Sequence, residues 1–313
     1  MASNPIPVQA GKYACILYDS TFKVVVVNRS QPELVRQIIE LLIPGKHISS
    51  LTFLDKEQNG LVVSEKKTNF DLLCRDDQTG EEFIVEMQFG EQRTYRERML
   101  SYATYPIRRQ LAEKINRRLS GEDIDKMDYS LRPVYVLSFL NFALPHENEH
   151  ALAENGLISS YSIRNARNGE LMTDALHFIY VEMGRLPYEA NEEAKCKSLL
   201  EKFIFSLKYM HQMTAPPESF TEDILRLLYH ATELGTMNIK QREEYEEKMR
   251  NELDISLEKR FVAEKSRAEG RAEGLAEGEA RMKAAAVKMR EKGFPAEEIA
   301  QITGLSLEDI LAL

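Results

Sequence analysis

Apolar positions along the chain follow two rhythms. In QPELVRQIIELL, residues 31–42, they recur at helical spacing and stop before Pro44-Gly45, which predicts an amphipathic helix closed by a chain reversal. Residues 51–54, 61–63, 69–74 and 83–89 are short apolar-rich runs separated by turn-forming clusters, Asp55 through Gly60 and Arg75 through Glu82, and predict strands of one sheet. Beyond Glu91 the pattern predicts a long helical stretch interrupted near Pro106. Two further apolar strands, PVYVLSFLNF and ALHFIYVEM, follow with a polar connection between them, and residues 196–235 return to helix.

After about residue 240 the rhythm gives way to alternating charge, with 11 basic and 12 acidic residues between Lys240 and Lys283. Neighbours of opposite sign three and four apart support a solvated, self-pairing helix. Ala-Glu-Gly recurs at 268–270, 272–274 and 276–278. Charges beside these glycines exclude a lipid setting, and the glycines predict a weak helix or flexible linker. The end, FPAEEIAQITGLSLEDILAL, predicts two short helices around Gly304, with Ser306 as N-cap and Asp309 completing S-x-x-D. Glu308 and Asp309, without Lys or Arg, oppose a DNA-reading role for the second helix and favour packing or self-association.

Composition narrows the classes. The 313 residues are 43% hydrophobic and 29% charged, enough for a packed core in one or two domains. No run approaches the roughly 18 apolar residues of a membrane span, and the start MASNPIPVQAGKY lacks a signal-peptide pattern, so a cytoplasmic location is expected. Cys15, Cys74 and Cys196 are far apart and expected to be buried thiols. A net charge of −9 argues against a general nucleic-acid coat protein. Residues 91–120 run the other way: eight basic residues, among them Arg93, Arg96, Arg108 and Arg117, stand against three acidic ones.

Candidate chemistry lies in the predicted strands. Alternation in FIVEMQF puts Phe83, Val85, Met87 and Phe89 on one face and Ile84, Glu86 and Gln88 on the other. In FDLLC it sets Asp71 and Leu73 against Phe70, Leu72 and Cys74. If the chain between them turns back as a hairpin, matching the apolar faces requires paired residue numbers to sum to an odd value, as they do with Asp71 opposite Glu86. Two carboxylates so placed, with a polar residue two positions on, suit a small hard cation and phosphodiester hydrolysis. On spacing alone a half-exposed hairpin with an acidic outer face fits equally well.

The series Asp71-x14-Glu86-Met-Gln88 resembles the active-site motif of the PD-(D/E)XK nucleases, in the E-x-Q form of the recombination-promoting nuclease (Rpn) family of putative transposases. Asp19-Ser-Thr-Phe22-Lys23 is similar to that family's D-x-x-F-K opening, PELVRQIIELL to its first helix, and Arg98-x-x-x-Tyr102 to its R-x-x-x-Y helix. PVYVLSF and FIYVEMGRL resemble its later strands, so the likeness covers roughly residues 18–240. It implies an α/β fold, a restriction-endonuclease-like mixed sheet flanked by helices, followed by a charged helical tail and a small helical end unit. The expected parts are a nuclease-like domain over 1–240, a charged helical linker over 241–283 and a helix-turn-helix-like unit over 284–313.

The resemblance also implies a DNA endonuclease of recombination or mobile-element type, hydrolysing phosphodiester bonds with water activated by Mg²⁺ or, alternatively, Mn²⁺. Asp71 and Glu86 would be metal ligands, with Glu33 or Glu40 as a further candidate, and Gln88 would position water. Gln88 departs from the superfamily lysine, and an amide cannot supply a positive charge. Asp19, Lys23, Arg98 and Tyr102 would contact DNA or support the site, against local readings as an ion pair or a buttress. DNA is the expected partner, with no membrane and with self-association through the C-terminal helical region. A catalytically silent DNA- or protein-binding module is the alternative. A zinc protease through His146-Glu147-Asn148-Glu149-His150 is remote, because that pattern follows Pro145 at a strand end rather than sitting on a buried helix.

Overall fold

The computed structural model describes residues 11–27, 29–54, 71–121, 129–146 and 156–313. The strand expected at 61–63 lies outside these. The chain forms two compact units, Met1–Asn251 and Glu252–Leu313.

The first unit is built on a mixed six-stranded sheet: β1 (Leu51–Phe53), β2 (Leu72–Asp76), β3 (Glu82–Gln88), β4 (Val134–Leu140), β5 (Ile158–Ser162) and β6 (Leu176–Glu182), in the order β1-β2-β3-β4-β6-β5. β2 pairs antiparallel with both β1 and β3, while β3, β4 and β6 are parallel to one another, and β5 closes the far edge antiparallel to β6. This is the α/β mixed sheet implied by the sequence. The polar connection expected between the last two apolar strands contains β5. Its sequence ISSYS has little alternation because, as an edge strand, it needs only one hydrogen-bonded flank.

Helices cover both faces. α1 (Asp19–Val25) and α4 (Leu199–Tyr209) bring Phe22 and Phe203 to Phe139, with ring centroids 5.6 and 6.0 Å away. On the opposite face Leu73, Ile84, Val134, Val136 and Tyr180 pack with Tyr95, Met99 and Ala103 of α3 (Tyr95–Leu119). β3 and β4, the central strands, are therefore buried at every position.

α3 is one helix of 25 residues and does not break at Pro106. Tyr95, Met99, Ala103, Pro106 and Gln110 form its single buried stripe, so packing along the sheet outweighs the one backbone hydrogen bond that proline removes. α2 (Pro32–Leu42) spans the expected segment, and α5 (Asp223–Thr232) follows α4. All three cysteines are buried free thiols.

α6 (Ile239–Glu291) begins in the first unit, where the backbone N–H of Cys15 donates to the Tyr245 hydroxyl at 2.9 Å. The helix runs unbroken through Gly270, Gly274 and Gly278, so the segment expected to be weak helix or flexible linker is continuous helix. Ion pairs four apart, such as Arg260–Glu264 at 3.0 Å, line it. In the second unit, α7 (Ala296–Thr303) and α8 (Leu307–Ala312) bring Ile299 and Ile310 onto Ala286. Gly304 between them takes φ 72°, and the Ser306 side chain accepts the Asp309 N–H, as the capping pattern predicts.

Candidate active site

Strand pairing delivers the acidic pair. The β2–β3 ladder pairs Leu72 with Val85 and Leu73 with Ile84, so its next step outward sets Asp71 beside Glu86, a register with the odd sum that matched apolar faces require. The Asp71 N–H donates to Glu86 Oε1 at 2.9 Å, and the Met87 N–H donates to Asp71 Oδ2 at 3.0 Å. Each carboxylate is thus oriented by the backbone of the other strand.

Both residues lie on the sheet face that α3 covers, and Glu86 is only 3% exposed. The half-exposed acidic hairpin is therefore not what forms. Burial, with the neighbouring charges of Asp71 and Asp19, holds the Glu86 carboxyl well above the usual carboxylate range. The Arg98 guanidinium acts in the other direction but more weakly than either acid. Buried Glu86 thus stands in the field of two half-buried aspartates, Asp71 and Asp19.

Gln88 lies two residues on, with its amide held at both ends. Its Nε2 donates to the Gly90 carbonyl at 2.7 Å, and its Oε1 accepts a hydrogen bond from Arg98 Nη2. Arg98 also lies 5.2 Å from the ring centre of Tyr95 and 5.7 Å from that of Tyr102. The Tyr102 phenol is pushed up by burial first and then by the Glu86 charge, which puts it in the same electrostatic field. Asp71, Glu86, Gln88, Asp19, Arg98 and Tyr102 therefore converge.

Other candidates stand elsewhere. Lys23 is exposed in the last turn of α1. Glu33 and Glu40 are not brought to the pair: both flank Arg36 on α2, at 2.5 and 2.7 Å, and Glu40 also accepts the Ile48 N–H at 2.8 Å. Of the protease-like pattern, Glu147 through His150 lie outside the described residues. His146 places its Nε2 2.6 Å from Glu182 Oε1.

Glu182 was not singled out in the sequence. It occupies the same cross-strand row as Gln88 and Leu140 and is fully buried. Besides His146, it accepts hydrogen bonds from Leu144 N–H at 2.8 Å, Ser159 Oγ at 2.7 Å and Arg185 Nε at 2.8 Å. Its only sequence signal is an acid at the end of a mainly apolar strand, LHFIYVE.

Two hard oxygen donors in a buried, negatively charged cluster fit the donor chemistry of Mg²⁺, which is held by one or two carboxylates and completes its shell with water and phosphate oxygens. Among the described residues no group of three or more His, Cys, Asp or Glu could hold a metal ion. Among the same residues no helix is long and apolar enough to cross a membrane.

Compared with known proteins, residues 16–260 match a family described as PD-(D/E)XK nuclease family transposase. No curated protein and no solved structure matches the chain.

Proposed function

The chain belongs to the PD-(D/E)XK nuclease family transposases, and from that membership we propose that it is a metal-dependent DNA endonuclease of recombination or mobile-element type, its nuclease domain lying within residues 1–240. The supporting observation is the reciprocal bonding of Asp71 and Glu86, at 2.9 and 3.0 Å, with the buried Glu86 carboxyl raised by burial and by the charges of Asp71 and Asp19 more than Arg98 lowers it.

Asp71 and Glu86 bring two carboxylates together at the end of the β2–β3 ladder, where a divalent cation would relieve their repulsion. When bound, the cation supplies charge for the phosphoryl oxygens and acidity for the attacking water. The remaining work falls to the protein. Gln88, fixed between Gly90 and Arg98, has a second amide N–H with which to orient that water. Arg98 brings to Gln88 the positive charge that an amide lacks, and so does the electrostatic part of a lysine at this position. Tyr102 and the exposed residues of α3 approach the DNA backbone. Water adds to phosphorus, the P–O ester bond breaks, and the departing oxygen takes a proton.

The test is cleavage of supercoiled and linear DNA by the purified full chain with Mg²⁺ or with EDTA. Nicking that needs Mg²⁺ and disappears in Glu86→Ala, with the variant folded by circular dichroism, is expected. Cleavage that persists in that variant overturns the assignment of the site. Absence of cleavage by the native chain with Mg²⁺ or Mn²⁺ favours a silent binding module on the same fold.

A further inference from the structure

α3 runs alongside β3 in the opposite direction. Near its start Arg98 meets Gln88 at the C-terminal end of the strand, and farther on Arg109 meets Glu82, at 2.6 Å, at the strand's N-terminal end. A cavity of about 300 Å³ opens at this second end, lined among others by Arg75, Lys114, Arg117, Arg132, Glu82 and Glu113. Its strand residues Arg75 and Glu82 lie four residues along β2 and β3 from Asp71 and Glu86, about 13 Å away.

The cavity is firmly built. Gln110 donates to the Arg132 carbonyl at 3.2 Å and accepts the Arg132 N–H at 2.9 Å. Lys114 Nζ donates to the carbonyl and hydroxyl of Ser130 at 2.5 and 2.7 Å. These bonds stitch the second half of α3 to the segment that enters β4. Among the described residues the charge of the lining is one-sided: four cationic side chains face two carboxylates, and both carboxylates already share Arg109, Glu82 at 2.6 Å and Glu113 at 3.7 Å. In a chain of net charge −9 this is a local reversal of sign. Guanidinium and ammonium groups around a cavity of this size suit a phosphate.

The spacing selects the kind of phosphate. The lining reaches from about 13 Å from the acidic pair, at Arg75 and Glu82, to about 24 Å along α3 from Arg98, at Lys114, which corresponds to about four to seven base-pair steps of duplex DNA. We propose that this pocket holds a backbone phosphate of duplex DNA about four to seven base pairs from the phosphate at Asp71 and Glu86, so that α3 sets the least length of duplex the protein can grip. The idea rests on the nuclease reading for the position of the second phosphate, but its test does not require cleavage.

Binding of the full chain is measured in EDTA against duplexes from about 6 to about 20 base pairs. Affinity is expected to step up once the duplex spans both ends of α3. The double variant Arg117→Gln/Arg132→Gln, with an unchanged melting temperature, loses that step, binds long duplex about tenfold more weakly and lowers the salt-dependence slope by about two. The control Arg226→Gln, an exposed arginine on α5, changes neither. An unaltered step and slope in the double variant, or an equal loss in the control, overturns the proposal. Mononucleotide competing for the pocket as well as duplex does would also overturn it, by marking a free-nucleotide site. A native chain that shows the step but cuts nothing with Mg²⁺ leaves the pocket standing and removes the nuclease reading.

Discussion

The main-chain amide of Asp71 donates to Glu86 Oε1 at 2.9 Å, and the amide following Glu86 returns a bond of 3.0 Å to the Asp71 carboxylate. Two acids that repel one another are thus locked together by the backbone of the strands that carry them. The fold maintains the repulsion, and ordinarily such a cost is kept where function uses it.

Exchanging Glu86 for glutamine separates activity from stability. Glu86→Gln keeps an acceptor for the Asp71 amide and removes a buried charge that both burial and Asp71 disfavour. Cleavage is expected to fall at least about a hundredfold. In EDTA the variant is expected to melt higher than the native chain, by about 2 to 4 °C for each kcal/mol of relief. Calorimetry with and without Mg²⁺ checks this, and a lower melting temperature in EDTA would contradict the account of Glu86.

Arg98 cannot be replaced by a point charge. Its guanidinium bonds Gln88 while lying against the rings of Tyr95 and Tyr102. Arg98→Lys keeps the charge and loses the planar fork, so cleavage is expected to drop by about tenfold or more. Gln88→Lys is expected to impair rather than improve the enzyme, because the new ammonium would meet the Arg98 guanidinium. Cleavage rates of the two variants under identical Mg²⁺ decide the point, and a faster Gln88→Lys enzyme would refute it.

Glu182 anchors the far side of the same sheet face. Burial alone would raise its carboxyl, but Arg185, Ser159, the Leu144 amide and His146 outweigh it and hold the group below the usual range. Glu182→Ala leaves the Arg185 guanidinium, which is 16% exposed, without this carboxylate. The expected loss is about 3 to 5 kcal/mol in urea denaturation, with a smaller one for Glu182→Gln. A change within experimental scatter for Glu182→Ala would show that the cluster contributes little.

His211 is expected to govern part of the acid sensitivity. It is 2% exposed, and burial lowers its pKa from the ordinary 6.5 to about 4. The unfolded chain therefore takes up this proton first. The stabilisation is complete above pH 6.5 and drains away as the pH falls toward about 4, for a total of roughly 3 kcal/mol. His211→Gln, which does not titrate, is expected to flatten stability against pH over that window. Urea midpoints at several pH values measure the slope, and an unchanged slope would refute the assignment.

Much of the site could be read from the sequence. Alternation in FIVEMQF sorted Glu86 and Gln88 from Phe83, Val85 and Met87, and with the same alternation in FDLLC it restricted the pairing to odd sums, of which the register that sets Asp71 beside Glu86 is one. These are local consequences of a two-residue period, which forbids a slip by one residue and leaves the choice among the remaining registers to the turn and the packing. The capping of α8 by Ser306 is local in the same sense, since donor and acceptor are three residues apart.

Less could be read wherever a partner comes from far along the chain. The run through Pro106 follows from a buried stripe against the sheet, and no local propensity announces that. Whether the acidic face of β3 would be open to water depended on α3 lying across it, and so did the meeting of Arg98 with Gln88 and of Arg109 with Glu82. Asp19 reaches the field of Glu86 from the other end of the domain's sequence, while Glu33 and Glu40, equally acidic, close on Arg36 instead. By itself the sequence determined which side chains share a face, because backbone geometry repeats over two or four residues. Only the tertiary structure decided which faces are covered and which charges meet, because burial and electrostatics depend on distances in space that sequence separation does not encode.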